Sequence, residues 1–267
     1  MKANIIDLEN NEIGKIDLPK QFEEPIRPDL IKKAVLTIQA NNRQRYGSDP
    51  RAGKKVSVRV SKKRHDYRGS YGHGISRVPR KIMSRRGTRM NWTGAFAPGT
   101  VGGRRAHHPK AEKIWEKKIN IKERRKAICS ALASSISKEI VSKRGHKVPD
   151  NYPLIMEDKF EKLDKTKELK KVLEKIGLKN ELKRASEKKV RAGKGTMRGR
   201  KYKRKIGPLI VVSDKCKLEN CKNIPGVEVV KIKNINAELL APGTKPGRLV
   251  IFTKSAIEKL SEKKLFM

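Results

Sequence analysis

Acidic residues are scarce in this sequence. Across 267 residues, 28 Asp and Glu stand against 67 Lys and Arg, leaving a net charge of +39. A self-contained soluble enzyme has no reason to carry so much self-repulsion, so a polyanionic partner is implied. Aromatics make up only 4% and apolar residues 36%. That suffices for one domain-sized core but not for a core that uses the whole chain. No run of 18 apolar residues occurs, which excludes a membrane-spanning helix. The first residues, MKANIIDLENNEIGK, lack a long apolar stretch and soon turn acidic, which argues against a secretory signal. Cysteines are few and odd in number: Cys129, Cys216 and Cys221. They point to a reducing compartment and away from a disulfide scaffold.

Acids are also unevenly missing. From Arg43 to Lys110 there are 19 Lys and Arg but only Asp49 and Asp66 in return, a net +17. From Lys183 to Lys205 there are 12 bases and one acid, Glu187, a net +11. The other 176 residues carry only +11, so the chain reads as a moderately basic globule bearing two concentrated basic segments. The first segment lacks leucine entirely, and Leu, Ile, Val and Phe supply 8 of its 68 residues. That is below the roughly 20% that accompanies intrinsic disorder. It also holds ten glycines. So little apolar surface cannot offset an ordering cost of about 1–2 kcal/mol per residue. The segment is therefore expected to order on an external anion. A structureless insertion of this length in a compact domain is usually functional.

The remainder alternates strand and helix signals. ANIIDL (3–8), LIM (154–156), PLIVVS (208–213), VEVV (227–230) and RLVIFT (248–253) read as strands. Leu30, Ile31, Ala34, Val35 and Ile38 recur at helical spacing after Pro28 and Asp29. Asn120 and Glu123 predict a capping box that opens a helix with the stripe Ile128, Leu132, Ile136 and Ile140, ended by Gly145. Leu169, Val172, Leu173 and Ile176 form another helical face, stopped at Gly177. Ser255 and Glu258 predict a second capping box on a final helix. Val/Ile runs alternating with amphipathic helices predict an α/β fold, a parallel sheet covered on both faces. No internal repeat is seen.

Most catalytic chemistry is excluded. GHGISR (72–77) and GKGTMR (193–198) begin like dinucleotide loops, but each has Arg at the third glycine position and neither joins a strand to a helix. Neither fits a Walker loop. Cys216 and Cys221 lack a second pair or a nearby His, so they predict two ordinary thiols instead of a zinc site. Cys129 lies on a helix and reads as a small core residue. His107 and His108 have no neighbouring carboxylate or thiol, and RNA contact or solvent exposure suits them better than metal binding or base catalysis. His65 and His73 take the same reading. With only Asp49, Asp66 and Glu187 in the basic segments, a two-metal carboxylate cluster cannot be built there. No catalytic residue, metal site or cofactor is expected.

A Lys/Arg run can be a solvated face or a localisation signal. Here the bases are interleaved with glycine and aromatics instead of being balanced by acids. Tyr46, Tyr67, Tyr71, Trp92 and Phe96 offer stacking planes, while Arg77, Arg80, Arg85, Arg86 and Arg89 offer forks for phosphates. Glycines let the backbone approach a ligand closely. Without heptads, a zinc module or a helix-turn-helix, an irregular basic ribbon suits folded RNA better than duplex DNA.

Six stretches carry a specific likeness in the family's order: PIRPDLIKKAVLTIQANNRQRYGSDPRAG (25–53), SYGHGISRVPR (70–80), GGRRAHHPKAEK (102–113), ERRKAICSALA (123–133), RAGKGTMRGRKYKRK (191–205) and LAPGTKPGRLVIFTKSAI (240–257). On these the chain resembles the large-ribosomal-subunit protein L-four family, archaeal type, along nearly its full length. The resemblance implies a three-layer α/β/α globular domain with a small parallel sheet, formed by residues 1–43 and 111–267. It implies one long extended loop, here residues 44–110, that binds rRNA and helps line the nascent-peptide exit tunnel opposite the L-twenty-two family protein. Residues 183–205 would form a second rRNA-binding segment within the globular part. The implied rRNA contacts are Arg43, Arg45, Arg51, Lys54, Lys55, Arg59, Lys62, Lys63, Arg64, Arg80, Arg85, Arg86, Arg89, Trp92, Arg104, Arg105, His107 and His108 in the first segment. In the second they are Lys189, Arg191, Lys194, Arg198, Arg200, Lys201, Tyr202, Lys203 and Arg204. The loop tip falls within residues 68–86, with Arg68, Tyr71, His73, Ile75 and Arg77 as tunnel-wall candidates. The implied partners are large-subunit rRNA, other large-subunit proteins and the nascent chain, on the cytoplasmic ribosome and away from membranes. Two other classes fit a basic RNA-gripping chain: an RNA-processing or RNA-modifying enzyme, and a free RNA chaperone or DNA-compacting protein.

Overall fold

The Val/Ile/Leu runs predicted as strands are strands in the structure, a computed structural model that describes residues 1–214, 216–221 and 223–267. In chain order the elements are β1 (Lys2–Ile6), β2 (Glu12–Asp17), α1 (Pro28–Asn41), β3 (Arg80–Arg86), β4 (Arg89–Gly94), α2 (Ile121–Ile136), α3 (Lys138–Lys143), β5 (Leu154–Met156), α4 (Thr166–Leu173), α5 (Lys179–Ser186), β6 (Lys188–Val190), β7 (Tyr202–Arg204), β8 (Leu209–Val212), β9 (Glu228–Lys231), α6 (Ala237–Leu240), β10 (Val250–Thr253) and α7 (Lys254–Glu262). The chain divides into two units: a sheet unit, Met1–Asn41 with Glu116–Met267, and an inserted unit, Asn42–Trp115.

In the sheet unit six strands run in the order β2-β1-β5-β10-β8-β9. Five are parallel, and β2 pairs antiparallel with β1 at one edge. The two-residue period of a strand sends alternate side chains to opposite faces. Leu209 and Val211 join one core with Ala3, Ile5, Ile155, Val250 and Phe252, under α1, α2, α6 and α7. Ile210 and Val212 join the other with Ile6, Leu154, Met156 and Ile251, under α3, α4 and α5. The result is an α/β/α domain. Continuous apolar runs are required here because both faces are covered. Each such side chain contributes about 1.5–3 kcal/mol on burial. β2 was not expected from the sequence: its side chains are mostly exposed, so it carries no apolar alternation, and pairing with β1 is what forms it.

The helix boundaries show what local signals miss. Asn120 sits at the N-cap of α2, but its side chain makes no capping bond. Glu123 instead reaches Lys33 on α1 at 2.7 Å. The expected single helix ending at Gly145 is interrupted at Ser137, whose backbone is extended (φ −72°, ψ 111°), and α3 follows as a separate piece. The capping box expected at Ser255 also fails to form. Thr253 is the N-cap of α7, the Ser255 N–H donates to Asp158 Oδ1 (3.0 Å), and its hydroxyl donates to Glu161 Oε1 (2.9 Å). Glu161 is buried, and it also accepts from the Ser213 N–H (2.8 Å), the Ser213 hydroxyl (2.5 Å) and the Thr253 hydroxyl (2.6 Å). One carboxylate thus ties the ends of β8 and β10 to the start of α7. After α4 the chain passes through a wide turn at 174–178, where Gly177 takes φ +91°, and then resumes as α5.

The inserted unit is built differently. Its regular structure is the β3–β4 hairpin, turned at Gly87 (φ +57°) and Thr88. Among its described residues Ala95 is the only buried apolar side chain. Close backbone approach takes the place of a core. The Ser48 N–H donates to the Pro109 carbonyl at 3.0 Å, and a Cβ on Gly47 would lie 2.6 Å from the Ala111 nitrogen. Gly53 has φ +73°, and a Cβ there would lie 2.6 Å from Arg104 Cα. Only glycine fits at these two positions.

Candidate nucleic-acid interface

The two basic segments expected to meet RNA each contain a hairpin, and each hairpin sets some cations directly opposite other cations. In the inserted unit Arg86 stands directly opposite Arg89, and an isolated bridge pairs Arg59 with Arg80. In the sheet unit β6 and β7 pair Lys188 with Arg204 and Lys189 with Lys203. Like charges directly opposite one another destabilise a strand pair. A chain that places three such pairs in two short ladders, and a fourth in an isolated bridge, is shaped for a counter-charge it does not itself supply.

The acids do not neutralise the inserted unit. It holds 20 Lys and Arg against Asp49, Asp66 and Glu112. Asp49 is held by Lys55 at 2.5 Å and accepts from the Arg51 N–H at 2.8 Å. Asp66 meets Arg59 at 3.3 Å. Hydrogen bonds from Lys55 and from Ser61, respectively, hold these two carboxyls below their usual range. Among the expected contacts, Arg45, Arg51, Lys54, Lys62, Lys63, Arg85, Arg86, Arg89, Arg105 and His107 are exposed, while Arg80, Trp92, Arg104 and His108 are half-buried.

Aromatics and cations are interleaved in space as well as in sequence. Arg80 lies 5.4 Å from the Trp92 ring. Arg64 and Arg77 lie 5.0 and 5.3 Å from the Tyr71 ring. Arg68 sits over Tyr67 instead (5.8 Å), and the Tyr67 hydroxyl donates to the Gly87 carbonyl at 3.1 Å. Of the tunnel-wall candidates, the structure brings Tyr71 and Arg77 together. His73 is exposed between Gly72 and Gly74, both in the left-handed region, and Ile75 is exposed just after them.

At the ends of the inserted unit Arg43, Tyr46 and Trp115 form a stack. The Arg43 guanidinium lies 3.7 Å from the Trp115 ring, and the Tyr46 and Trp115 rings are 5.7 Å apart at 21°. They open onto a cleft of about 910 Å³ lined by Arg105, His107, His108, Lys110 and Lys113. Trp115 and Lys113 were missed in the sequence reading, because Trp115 lies outside the dense basic run and only the fold returns it to Tyr46.

In the second segment Lys189, Lys203 and Arg204 line a basic cleft of about 550 Å³ with Arg144, His146 and Arg184. Arg144 and His146 lie outside the segment expected to bind, and Arg184 lies within it but was not singled out. A buried charge network makes the floor. Glu181 accepts from Arg184 (2.8 and 2.5 Å) and the Lys147 N–H (3.0 Å), and its Oε1 lies 2.7 Å from His146 Nδ1. Burial alone would raise the Glu181 carboxyl, but the bonds from Arg184, His146 and Lys147 override it and hold it at about 2. Burial, with Arg248 and Arg184 nearby, lowers Arg144 to about 10. Arg191 turns back onto the carbonyls of Arg200 (3.0 Å) and Tyr202 (3.4 Å), fixing the β6–β7 loop. Lys194, Arg198, Arg200 and Lys201 stay exposed on that loop, and Lys201 lies 5.6 Å from the exposed Tyr202 ring.

The thiols stand apart from all this. Burial pushes Cys129 up to about 11 and also raises Cys221, whose Sγ donates to the Asp164 carbonyl at 3.1 Å. Among the described residues no group of three or more His, Cys, Asp or Glu is placed to hold a metal ion, and no helix is long and apolar enough to cross a membrane.

A family model described as "Ribosomal protein L4/L1 family" matches residues 16–263. The chain belongs to the ribosomal protein L4/L1 family. Among its relatives is the large ribosomal subunit protein uL4 of Nanoarchaeum equitans, 48% identical over 268 residues that cover all of both chains. The uL4 proteins of Archaeoglobus fulgidus and Halobacterium salinarum are 42% and 41% identical, over 98% of this chain and 99% and 100% of theirs. The like-charge hairpins and the two cation-rimmed clefts are therefore features of an L4/L1 family chain, and the match spans both units.

Proposed function

We propose that this chain is a structural, non-enzymatic constituent of the large ribosomal subunit that binds large-subunit rRNA through its two basic segments. The observation that carries the reading is the set of opposed cations in the two hairpins, which polyanion phosphates would relieve. Support also comes from relatives that bear the name of a large-subunit protein along their full length. In this reading residues 44–110 reach into the subunit and border the nascent-peptide exit tunnel. The turn carrying Arg68, Tyr71, His73, Ile75 and Arg77 faces the tunnel, near the L-twenty-two family protein. The sheet unit docks on rRNA with the 183–205 segment. Sedimentation of cell lysate with crosslink mapping tests this. The protein should travel with large subunits and crosslink to their RNA through both segments. Migration free of ribosomes would defeat the reading. Deleting residues 67–86 should leave particle association intact while impairing assembly or nascent-chain passage.

A further inference from the structure

We infer that the cleft beside Arg43, Tyr46 and Trp115 is a docking site for one unpaired RNA nucleobase, a claim that rests on the rRNA-binding reading and sharpens it. Other cations of the inserted unit, such as Arg85, Arg86 and Arg89, stand on open surface, which serves a phosphate and discriminates nothing else. Here they rim a concave space. Its volume, about 910 Å³, is ample for a nucleotide. One wall is aromatic. Tyr46 is 50% exposed, so its ring offers a free face, and the Trp115 ring behind it lies nearly parallel at 21°.

Arg43 contacts Trp115 closely, at 3.7 Å, and stands 5.5 Å from Tyr46. Lys113 adds a second cation 4.3 Å from the Trp115 ring. Arg43 sits over both rings, and the half-exposed phenol is the surface on which a third plane can stack. The wall is braced as well. The Ser48–Pro109 hydrogen bond and the Gly47–Ala111 approach fix the backbone next to Tyr46 against the irregular segment leading to Trp115. A preformed stacking surface avoids the ordering cost that weakens a mobile one.

The chemistry selects a base over a bare phosphate. Phosphates need cations only, whereas a flat ring beside cations matches a base with its own phosphate attached. The base must be unpaired, since a paired base buries both faces in its helix. The Trp115 Nε1–H, shielded from solvent, finds no acceptor among the described residues. Glu112 is the one acid on the rim, and it suits a base amino group better than a second phosphate.

The test uses the full-length chain labelled with fluorotryptophan. Fluorine NMR then shows two resonances, because the sequence has two tryptophans, and Trp92→Phe serves only to assign them. The probes are a short single-stranded RNA and an abasic ribose-phosphate oligomer of equal length. The RNA should shift the Trp115 resonance and the abasic oligomer should not. Tyr46→Ala should weaken RNA binding by about fivefold or more and leave binding of the abasic oligomer unchanged. Tyr46→Phe, which keeps the ring, should retain RNA affinity. Because Tyr46 is half exposed, circular dichroism should confirm that both variants fold. Equal shifts from the two oligomers, or equal losses on Tyr46→Ala, would show a phosphate site only and overturn the inference. If RNA binds in a salt-sensitive manner while Trp115 stays silent, the inference fails and the rRNA-binding reading stands. If no RNA binds at all, both fail.

Discussion

The two units reach order by opposite routes. The sheet unit has two apolar cores, one on each face of the sheet, and its 25 acids offset about half of its 47 cations. The inserted unit has one buried apolar residue, Ala95, and 20 cations against three acids. Hydrophobic burial scales with area removed from water, so the first unit carries its own stability and the second does not. What holds the second is glycine-permitted backbone contact, arginine–aromatic stacking and a hairpin with opposed cations. Each of these is weak or unfavourable in water. The lesson is that a shape can be encoded by what a ligand will neutralise as well as by what the chain can bury.

The largest effect expected from this contrast is on RNA affinity. If roughly ten of the cations in the two segments meet phosphates, raising salt from about 50 to about 200 mM should weaken RNA binding by about 10³-fold or more. The thermal midpoint of the sheet unit should barely move over the same range. Filter binding and calorimetry at matched salt check both halves. A flat affinity curve would remove the electrostatic account of the inserted unit.

Hydrogen exchange measures the contrast next. In the free protein, amides of β5, β8 and β10 should exchange only on global opening, while those of β3 and β4 should exchange about 10³-fold faster or more. Added rRNA should slow the hairpin amides selectively. Strong protection of β3 and β4 without RNA would show that the inserted unit is stable by itself, and the comparison would break.

A third effect separates buried from exposed charge. Glu181→Gln leaves Arg184 and His146 without their carboxylate inside the sheet unit, and denaturant unfolding near neutral pH should record a loss of about 3–5 kcal/mol. The pH dependence follows from the lowered carboxyl. Its folded value is about 2, below the unfolded value of about 4.3. Its stabilisation is therefore complete above about pH 4.3 and is lost as pH falls from there towards 2. Asp66→Asn, at an exposed pair in the inserted unit, should leave the unfolding midpoint unchanged.

Much of the sheet unit was legible in the sequence because burial on both faces forces continuous apolar runs. LIM, LIVV and VIFT could be read directly, as could the start of α1 at Pro28. β2 and α5 were not legible. The first is held by its neighbour's backbone, and the second buries little apolar surface beyond Leu182 and Ala185. The failed capping boxes at Asn120 and Ser255 have one cause. Tertiary partners, Lys33 for Glu123 and Glu161 for Ser255, took the groups that the local motif needed. In the inserted unit, composition revealed the need for an anion, but not the β3–β4 register that sets Arg86 against Arg89, nor the return of Trp115 to Tyr46. Those depend on which distant residues become neighbours, which no local pattern records.

The smallest effect is the sharpest test, because its two halves have opposite signs. Arg86→Glu replaces the cation facing Arg89 with an anion, turning a repulsive cross-strand pair into an attractive one. The free hairpin should gain about 0.2–1 kcal/mol, seen as slower exchange of the β3 and β4 amides. RNA binding should weaken at the same time. If Arg86 meets a phosphate, the log–log salt slope should become shallower by about 1. Ordinary structural damage would lower both hairpin stability and affinity, and a solvated surface arginine would change neither. Only a residue whose local cost is offset by a bound anion makes the free protein more ordered and the complex weaker.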